Sequence, residues 1–460
     1  MKRVTLVVML VVGMLAMQQC GNDAKQTDNK MDNDSLVGKQ VPEWTKNSVI
    51  YEVNVRQFSE AGTFKAFSDH LQRIRDLGVD ILWFMPIQPI GLKNRKGSLG
   101  SYYSISDYTA VNPEFGTLED FKELVGTCHA MGFKVILDWV ANHTAWDNLW
   151  VEQHPDWYKQ DSAGNVVSPV ADWADVAGLN YENREMRKAM IDAMKFWITE
   201  SDIDGFRCDV AGMVPTDFWN EVRPELDKVK PVFMLAEWEE TPELHEKAFD
   251  MTYTWKFHHL ICDIAKGNKK ATEIDEYLHW NDSLFPKSAY RMYFTSNHDE
   301  NSWNGTVFER LGEGYKAFAV LTFAIPGMPL IYGGQEAGLD KRLPFFDKGE
   351  ILWKEHEMAE LYEKLIAVKH ENSALWNGKF GGSFTRVGQE ADSNVYVFMR
   401  EQIDNKILAI FNLSDEEKGF TFPGILKGDY TELLRNEPFV ISGNTIRLQP
   451  WEYYLMKKKG

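Results

Sequence analysis

Four short segments of the sequence place acidic side chains at the ends of apolar runs. They are Asp138–His143, Gly205–Asp209, Leu235–Glu237 and Ser296–Asp299. Each apolar run is typical of a buried strand, and each acid stands where that strand should end. In a β/α barrel, the C-terminal ends of the strands carry the chemistry. Three carboxylates at such an edge, without a cysteine pattern for metal, favour sugar chemistry.

The second segment predicts a carboxylate that is held in its charged form. Side chains alternate along a strand, so Arg207 and Asp209 point to the same side. A guanidinium beside a carboxylate favours its ionised form and orients it. This suits a nucleophile, although an arginine–aspartate pair at a barrel rim can also be purely structural.

Glu237 suits the role of a general acid. It follows the apolar run Val232–Ala236 and precedes Trp238. Apolar and aromatic neighbours raise the pKa of a carboxyl group, and a general acid must keep its proton near neutral pH. A solvated glutamate at the rim is the structural alternative, and the nearby Glu239 and Glu240 leave the choice of acid open.

Two histidines stand close to acids at strand ends. His298 precedes Asp299, and His143 follows Asp138 by five residues. An imidazole and a carboxylate can bind adjacent sugar hydroxyls through bonds that strengthen in the transition state. For His143 a structural role is equally common, and a lone histidine–aspartate pair such as His298–Asp299 is more often structural. The two histidines could also bind a metal ion, but the surrounding pattern is not a zinc signature.

From about residue 48, eight apolar runs of strand length alternate with longer helical stretches. This alternation predicts a parallel sheet, and eight units predict an α/β fold with a closed TIM (β/α)8 barrel. The strand candidates are Val49–Val53, Ile81–Pro86, Val135–Val140, Gly205–Val210, Val232–Trp238, Met251–Trp255, Met292–Ser296 and Pro329–Tyr332. The helix candidates include Phe64–Leu77, Leu118–Met131, Glu185–Thr199 and Tyr315–Ala324.

Two parts of the chain depart from this alternation. Residues 144–182 form a long, tryptophan-rich connection after the third strand, which should overhang the edge that carries the acids. After about residue 376, short runs separated by turn residues predict a small antiparallel sheet domain. Its strand candidates are Val395–Met399, Ile407–Phe411, Gly419–Phe422 and Trp451–Leu455.

Residues 1–20 have the layout of a lipoprotein-type signal peptide. A basic start is followed by the apolar run Val4–Met17, which is too short for a comfortable membrane span. Cys20 stands where a bacterial lipoprotein would be lipidated. Plain secretion is the alternative, because Gln18 and Gln19 replace the small residues that usually precede such a cysteine.

The expected localisation is therefore the cell envelope, on the periplasmic side or the cell surface, with a lipid anchor at Cys20. Residues 21–44 are mostly polar and predict a flexible tether. The catalytic barrel is then expected over residues 45–375, and the C-terminal domain over residues 376–460.

Composition restricts the partners of the protein. The net charge of −18 argues against nucleic acid or an anionic membrane surface as a partner. The 16 tryptophans mildly favour a carbohydrate substrate, although large side chains also fill large cores. Cys128, Cys208 and Cys262 do not form a disulfide framework, so we expect buried thiols.

Taken together, the segments resemble the retaining α-amylase family of glycoside hydrolases, which act on α-glucans. The resemblance covers about residues 45–455 and includes all four acidic segments in the family's order. Four further stretches match the family, namely Gly78–Pro86, Tyr103–Tyr108, Phe115–Thr117 and Pro326–Glu336.

The resemblance implies a role for each of the three acids. Asp209 would be the nucleophile that forms a covalent glycosyl-enzyme, Glu237 the acid and then the base, and Asp299 the stabiliser of the transition state. It also implies a short protruding segment after strand 3 and a C-terminal antiparallel β-sandwich. The substrate-binding residues that it implies are Tyr103, His143, Arg207 and His298.

The sequence departs from the family pattern at three places. Asp209 is followed by Val210-Ala211-Gly212 instead of the common Lys-His, which is more similar to members acting on cyclodextrins, pullulan or maltooligosaccharides. The glycine that usually precedes the acid is Ala236. Asn142 matches a calcium ligand of the family, but Gly178 stands where family members often have an acidic ligand. We therefore expect that no cofactor is required, and a calcium ion bound at Asn142 is the open alternative.

The expected function is retaining cleavage of α-1,4-glucosidic bonds in starch-derived glucans or maltooligosaccharides. One alternative is an α-glucan transglycosylase, in which a sugar hydroxyl replaces water, and another is a cyclodextrin- or pullulan-type hydrolase. A non-catalytic glycan-binding protein is more distant, because none of the three acids is lost.

Overall fold

The computed structural model of the protein describes residues 41–388 and 391–459. The predicted signal peptide, its Cys20 and most of the tether lie outside these described residues. Among the described helices, none has both the length and the apolar composition needed to cross a membrane.

Eight parallel strands form a closed barrel, which confirms the predicted fold class. In chain order, the strands of this part are β1 (Ile50–Val53), β2 (Ile81–Phe84), β3 (Lys134–Trp139), β4 (His143–Ala145), β5 (Val176–Gly178), β6 (Gly205–Cys208), β7 (Phe233–Ala236), β8 (Met251–Tyr253), β9 (Tyr290–Phe294) and β10 (Met328–Tyr332). The barrel order is β1-β2-β3-β6-β7-β8-β9-β10, closing back to β1. Its strands are almost uniformly apolar because helices and interior side chains cover both faces.

Helices surround the barrel and connect its strands. They are α1 (Val55–Phe58), α2 (Phe64–Ser68), α3 (Leu71–Leu77), α4 (Leu118–Ala130), α5 (Leu149–Gln153), α6 (Arg184–Ser201), α7 (Thr216–Asp227), α8 (Leu244–Lys247), α9 (Trp255–Ala265), α10 (Glu273–Leu284), α11 (Val307–Leu311), α12 (Tyr315–Ala324) and α13 (Glu357–Glu371). The single helix predicted over Phe64–Leu77 is two helices. At the break, the N–H of His70 bonds the carbonyl of Phe67, three residues back, which tightens the turn.

Gly205 sets the position of β6 in the barrel. A Cβ on this residue would lie 1.9 Å from the carbonyl oxygen of Phe233 on β7, so only glycine fits. The resulting register places Arg207 opposite Asp138 on β3. The glycine therefore helps to bring a cation beside an acid at the rim.

The protruding segment between β3 and β6 is partly ordered by pairing. Strands β4 and β5 form an antiparallel ribbon, with His143 opposite Gly178. Trp157 is buried and packs against Trp150, so these two rings stabilise the segment itself. Trp173 instead lines the cleft above the barrel, as expected for a segment that overhangs the acids.

The C-terminal part forms the predicted antiparallel β domain. Its strands are β11 (Ser383–Arg386), β12 (Val395–Gln402), β13 (Asn405–Asn412), β14 (Lys418–Thr421), β15 (Gly428–Glu432), β16 (Glu437–Ile441), β17 (Thr445–Leu448) and β18 (Tyr453–Lys458). A six-stranded sheet, β11-β12-β13-β18-β15-β16, faces a pair formed by β14 and β17. Val397 and Phe420 belong to the core of this domain, while Phe398 and Phe411 join the barrel's core. Alternate side chains of β12 and β13 therefore pack on opposite faces of the sheet, one set in the core of the C-terminal domain and the other in the core of the barrel.

The three cysteines outside the signal region are buried and free, as predicted.

Candidate active site

The C-terminal ends of the barrel strands surround a cleft of about 840 Å³. The three predicted acids, Asp209, Glu237 and Asp299, all line it. The cleft also contains several predicted substrate-binding residues together with aromatic and basic side chains from the loops. These further lining residues include Lys96, Tyr103, His143, Asp172, Trp173, Asp175, His298, Trp303, Phe345 and Phe346.

Arg207 is the common partner of three carboxylates. Its Nη1 donates to Asp138 Oδ1 at 2.9 Å and to Asp209 Oδ1 at 3.1 Å. Its Nη2 lies 2.9 Å from Glu237 Oε1, but it is not aligned to donate a hydrogen bond there. The guanidinium is fully buried, and Nε donates to the Tyr253 hydroxyl at 3.2 Å. One cation thus orients two candidate catalytic carboxylates.

Burial raises the pKa of both Asp209 and Glu237. For Asp209, burial and the neighbouring Glu237 raise the pKa by more than Arg207 lowers it. Arg207 favours the ionised form, as the sequence predicted, but its effect is the smaller one. For Glu237, burial outweighs the lowering effect of the same guanidinium. Because the charge of Glu237 raises the pKa of Asp209, a proton on Glu237 favours the ionised form of Asp209.

The alignment of Arg207 favours a proton on Glu237 and a charge on Asp209. Arg207 donates an aligned bond to Asp209 but only approaches Glu237, so the charge is better compensated on Asp209. Glu237 Oε2 accepts the backbone N–H of Val210 at 2.8 Å, which lowers the pKa of Glu237 and partly offsets this preference. Val210 has φ +36°, a conformation that β-branched residues rarely adopt, and it directs this N–H at the acid.

His298 belongs to a buried chain of hydrogen bonds. Its Nδ1 lies 2.5 Å from Glu52 Oε1, and its Nε2 lies 2.7 Å from the Tyr103 hydroxyl, which donates to Asp138. Burial alone would lower the pKa of His298, but the carboxylates of Asp299 and Glu52 raise it to about 9. His298 therefore carries a proton on both nitrogens at neutral pH.

His143 has the opposite electrostatic character. Burial lowers its pKa to about 4, although Asp175 opposes the shift. Its ring contacts Trp173 edge to face, with centroids 5.5 Å apart. A neutral imidazole at this wall of the cleft can bind a hydroxyl without adding charge beside Asp209.

Comparison with known proteins decides the family. Residues 25–174 and 170–389 match the family model described as "Alpha amylase, catalytic domain". Residues 385–455 match "Maltogenic Amylase, C-terminal domain". The chain belongs to the alpha-amylase family. The resemblance inferred from the four acidic segments is thereby confirmed, as is the glycosidase class of the enzyme.

Relatives of this alpha-amylase family member carry different names. This chain is 32% identical in sequence to an alpha-amylase from Lactobacillus plantarum. It matches the crystal structure of that protein with a TM-score of 0.82, over 90% of this chain and 100% of that chain. This chain is also 27% identical over 417 residues to Alpha-amylase MalA of Haloarcula japonica. That match covers 86% of this chain and 59% of the other protein. This chain is 25% identical over 465 residues to a cyclomaltodextrinase of Thermoanaerobacter pseudethanolicus, with coverages of 90% and 78%. These matches establish the family but not the substrate on which this member acts.

Asn142, the predicted calcium ligand, directly precedes β4, whose first residue pairs with Gly178. The Asn142 amide lies 3.2 Å from His143 Nδ1, and Gly178 on the paired strand has no side-chain oxygen. Asp175 pairs with Lys96. Within the described residues, no three His, Cys, Asp or Glu side chains are grouped to hold a metal ion. Calcium at Asn142 stays a prediction.

The three candidate glutamates after β7 lie in different surroundings. Glu239 is buried against Arg291, with Oε1 and Nη2 3.0 Å apart, and it accepts the N–H of Lys256. Glu240 is exposed. Only Glu237 among the three lines the cleft.

Sequence reasoning missed several residues of the site. Glu52 could have been found, because an acid within the apolar strand Ile50–Val53 is unusual and must have a buried partner. Lys96, Phe345 and Phe346 lie on loops whose sequence carries no such signal, and only the fold brings them to the cleft.

Proposed function

We propose that the protein is a retaining hydrolase of α-1,4-glucosidic bonds in starch-derived glucans and maltooligosaccharides. The observation that supports this most is the contact of one buried guanidinium with both Asp209 and Glu237 at the edge of the cleft. Two oriented carboxyls, one ionised and one protonated, are the requirement for double displacement at a sugar.

In the first step, an Asp209 oxygen attacks the anomeric carbon of the sugar. Glu237 donates its proton to the glycosidic oxygen as the bond from this oxygen to the anomeric carbon breaks. The leaving chain departs with a new hydroxyl, and the retained sugar is bound covalently to Asp209. Asp299, whose side chain is 30% exposed, and protonated His298 hold hydroxyls of the retained ring.

In the second step, Glu237 acts as the base. It takes a proton from a water molecule whose oxygen attacks the anomeric carbon, and the ester bond to Asp209 breaks. The aspartate leaves as a carboxylate that Arg207 stabilises. Two inversions return the α configuration, and Glu237 regains the proton needed for another cycle.

A second candidate function is transfer to a sugar hydroxyl instead of water. Trp238 follows the acid and packs on Gly212, where a Cβ would lie 2.1 Å from Trp238 Cε2. Its ring is only partly buried, so an acceptor sugar can stack on it. Gly212 falls in the stretch where the sequence resembles members acting on cyclodextrins and pullulan.

A substrate panel separates these functions. Maltoheptaose should be hydrolysed faster than pullulan or β-cyclodextrin, and maltotriose should give mainly shorter products. Accumulation of products longer than maltotriose would instead establish transfer as the main reaction. A clear preference for β-cyclodextrin or pullulan would refute the proposed substrate class while leaving the mechanism intact.

We also propose that the enzyme is anchored to the cell envelope through lipidated Cys20. The support is the sequence of residues 1–20, with its basic start and short apolar run. Wild-type protein expressed in bacteria should sediment with membranes and incorporate labelled palmitate. Cys20→Ala should lose the label and remain in the soluble fraction, whereas equal membrane binding by the variant would contradict the anchor.

A further inference from the structure

Glu52, on strand β1, is an acid that contacts the site without lining the cleft. All four residues of its strand are buried, and its own side chain is fully buried. Its Oε1 lies 2.5 Å from Nδ1 of His298, and His298 does line the cleft. Within the described residues, its Oε2 has no hydrogen-bond partner. A buried carboxylate in such surroundings is stable only beside a cation, and the imidazole of His298 is in contact with it.

The hydrogen bonds around His298 require a proton on each ring nitrogen. The Tyr103 hydroxyl donates to Asp138 Oδ2 at 3.1 Å, so its oxygen accepts in the 2.7 Å contact with His298 Nε2. At the other nitrogen, the carboxylate of Glu52 can only accept. Both nitrogens therefore donate, which is the imidazolium form. A neutral ring with its proton on Nδ1 would leave Nε2 without a proton opposite the hydroxyl oxygen.

Other charged and titratable groups also face His298. Burial lowers the pKa of His298, whereas the carboxylates of Asp299 and Glu52 raise it. Asp299 is 30% exposed in the cleft, where solvent and substrate screen its charge, while Glu52 is fully buried. Glu52 is therefore the acid whose effect does not depend on what fills the cleft. By element, the groups around His298 are Glu52 on β1, Tyr103 after β2, Asp138 on β3, Arg207 on β6, Glu237 after β7 and Asp299 after β9.

The charge of His298 acts on the acid of the site. Burial raises the pKa of Glu237, and the charges of Arg207 and His298 lower it. If His298 were neutral, Glu237 would be a weaker acid and would keep its proton to a higher pH. The buried carboxylate of Glu52 can therefore influence Glu237 through the protonation of His298.

We propose that Glu52 is a positioning residue, which holds His298 as an imidazolium and through it adjusts the acidity of Glu237. The inference rests on the proposed function, because the role of Glu237 as the acid comes from there. Glu52 does not line the cleft, so it acts through His298 without touching the sugar.

Nitrogen-15 NMR of the whole chain, labelled at histidine, measures the charge of His298 without any substrate. In the wild type, both ring nitrogens of His298 should be protonated at pH 7, and the spectrum of His298→Gln assigns the signals. In Glu52→Gln, only one ring nitrogen should be protonated at this pH, because a neutral amide cannot compensate a buried cation. A neutral His298 in the wild type would overturn the inference, and so would a charged His298 in Glu52→Gln.

The pH profile of activity tests the connection to Glu237. In Glu52→Gln, the alkaline limb of kcat/KM on maltoheptaose should move up by about half a pH unit. The kcat at pH 7 should fall by about tenfold, because His298 loses the charge with which it holds a sugar hydroxyl. In a His298→Gln background, Glu52→Gln should shift the limb no further, since the group through which it acts is absent.

Glu432→Gln is the matched control for these measurements. Glu432 is also a buried glutamate, but it lies on β15 of the C-terminal domain, so this variant should keep the wild-type pH profile. Thermal melts verify that each variant is folded. An unmoved alkaline limb in folded Glu52→Gln would overturn the inference. If the wild type hydrolysed no α-glucan, the proposed function would be refuted together with the connection to Glu237, while the NMR spectra would still decide whether Glu52 holds the charge of His298.

Discussion

Asp209→Asn should reduce kcat on maltoheptaose by at least about 10⁴-fold, because the amide cannot form the glycosyl ester and the reaction loses its covalent path. The substitution keeps the size of the side chain and removes one negative charge from a cluster of carboxylates around a single guanidinium. We therefore expect the melting temperature to be unchanged or higher. Initial rates by reducing-sugar release and a thermal melt measure the two effects.

Asp192→Asn is the matched control for this variant. Asp192 is exposed on α6, pairs with Lys188 one turn earlier and is not among the residues that line the cleft. It should retain wild-type activity. Activity of Asp209→Asn within tenfold of wild type would contradict the assignment of the nucleophile, provided that mass spectrometry excludes deamidation back to aspartate.

Glu237→Gln should have an effect that depends on the leaving group. With maltoheptaose, kcat should fall by about 10²–10⁴-fold, because the departing oxygen receives no proton. With α-maltosyl fluoride, whose fluoride leaves without protonation, formation of the glycosyl-enzyme should be nearly unaffected. Added azide, a nucleophile that needs no base, should then restore turnover. Equal losses on both substrates without azide rescue would contradict the acid–base role.

The pH profile gives an independent readout of the same pair. Asp209 must be ionised and Glu237 protonated, so kcat/KM should follow a bell-shaped curve. Since burial raises the pKa of both groups, both limbs should lie at higher pH than free carboxyls would give. Activity is lost at low pH as Asp209 takes up a proton and at high pH as Glu237 loses its own. Glu237→Gln should abolish the alkaline limb, whereas Glu239→Gln should keep it.

The barrel could be predicted because buried parallel strands leave a strong pattern. Each of the eight runs is mostly apolar, and acids of the site follow at the ends of β6 and β7. The sequence did not predict four C-terminal strands, which are short, only partly buried and without a long apolar run, namely β11, β15, β16 and β17. Local pattern therefore finds strands that are buried on both faces more readily than strands that are only partly buried.

The site residues that could be predicted are those that lie at the ends of strands. Arg207 and Asp209 lie two residues apart, so strand geometry alone placed them together. The contact of Arg207 with Glu237 depends on the pairing of β6 with β7, which no local pattern gives. The contacts of Lys96 depend even more on tertiary structure, because Lys96, Asp175 and Phe346 come from three separate loops.

The most direct test of the central claim is a proton NMR time course of maltoheptaose hydrolysis by the wild-type enzyme. The spectra follow the anomeric signals of the earliest products, before mutarotation mixes the two forms. Double displacement through Asp209 predicts that the α-anomer appears first and the β-anomer only later. If the β-anomer appears first, the reaction inverts configuration, and the account of Asp209 as a covalent nucleophile is wrong.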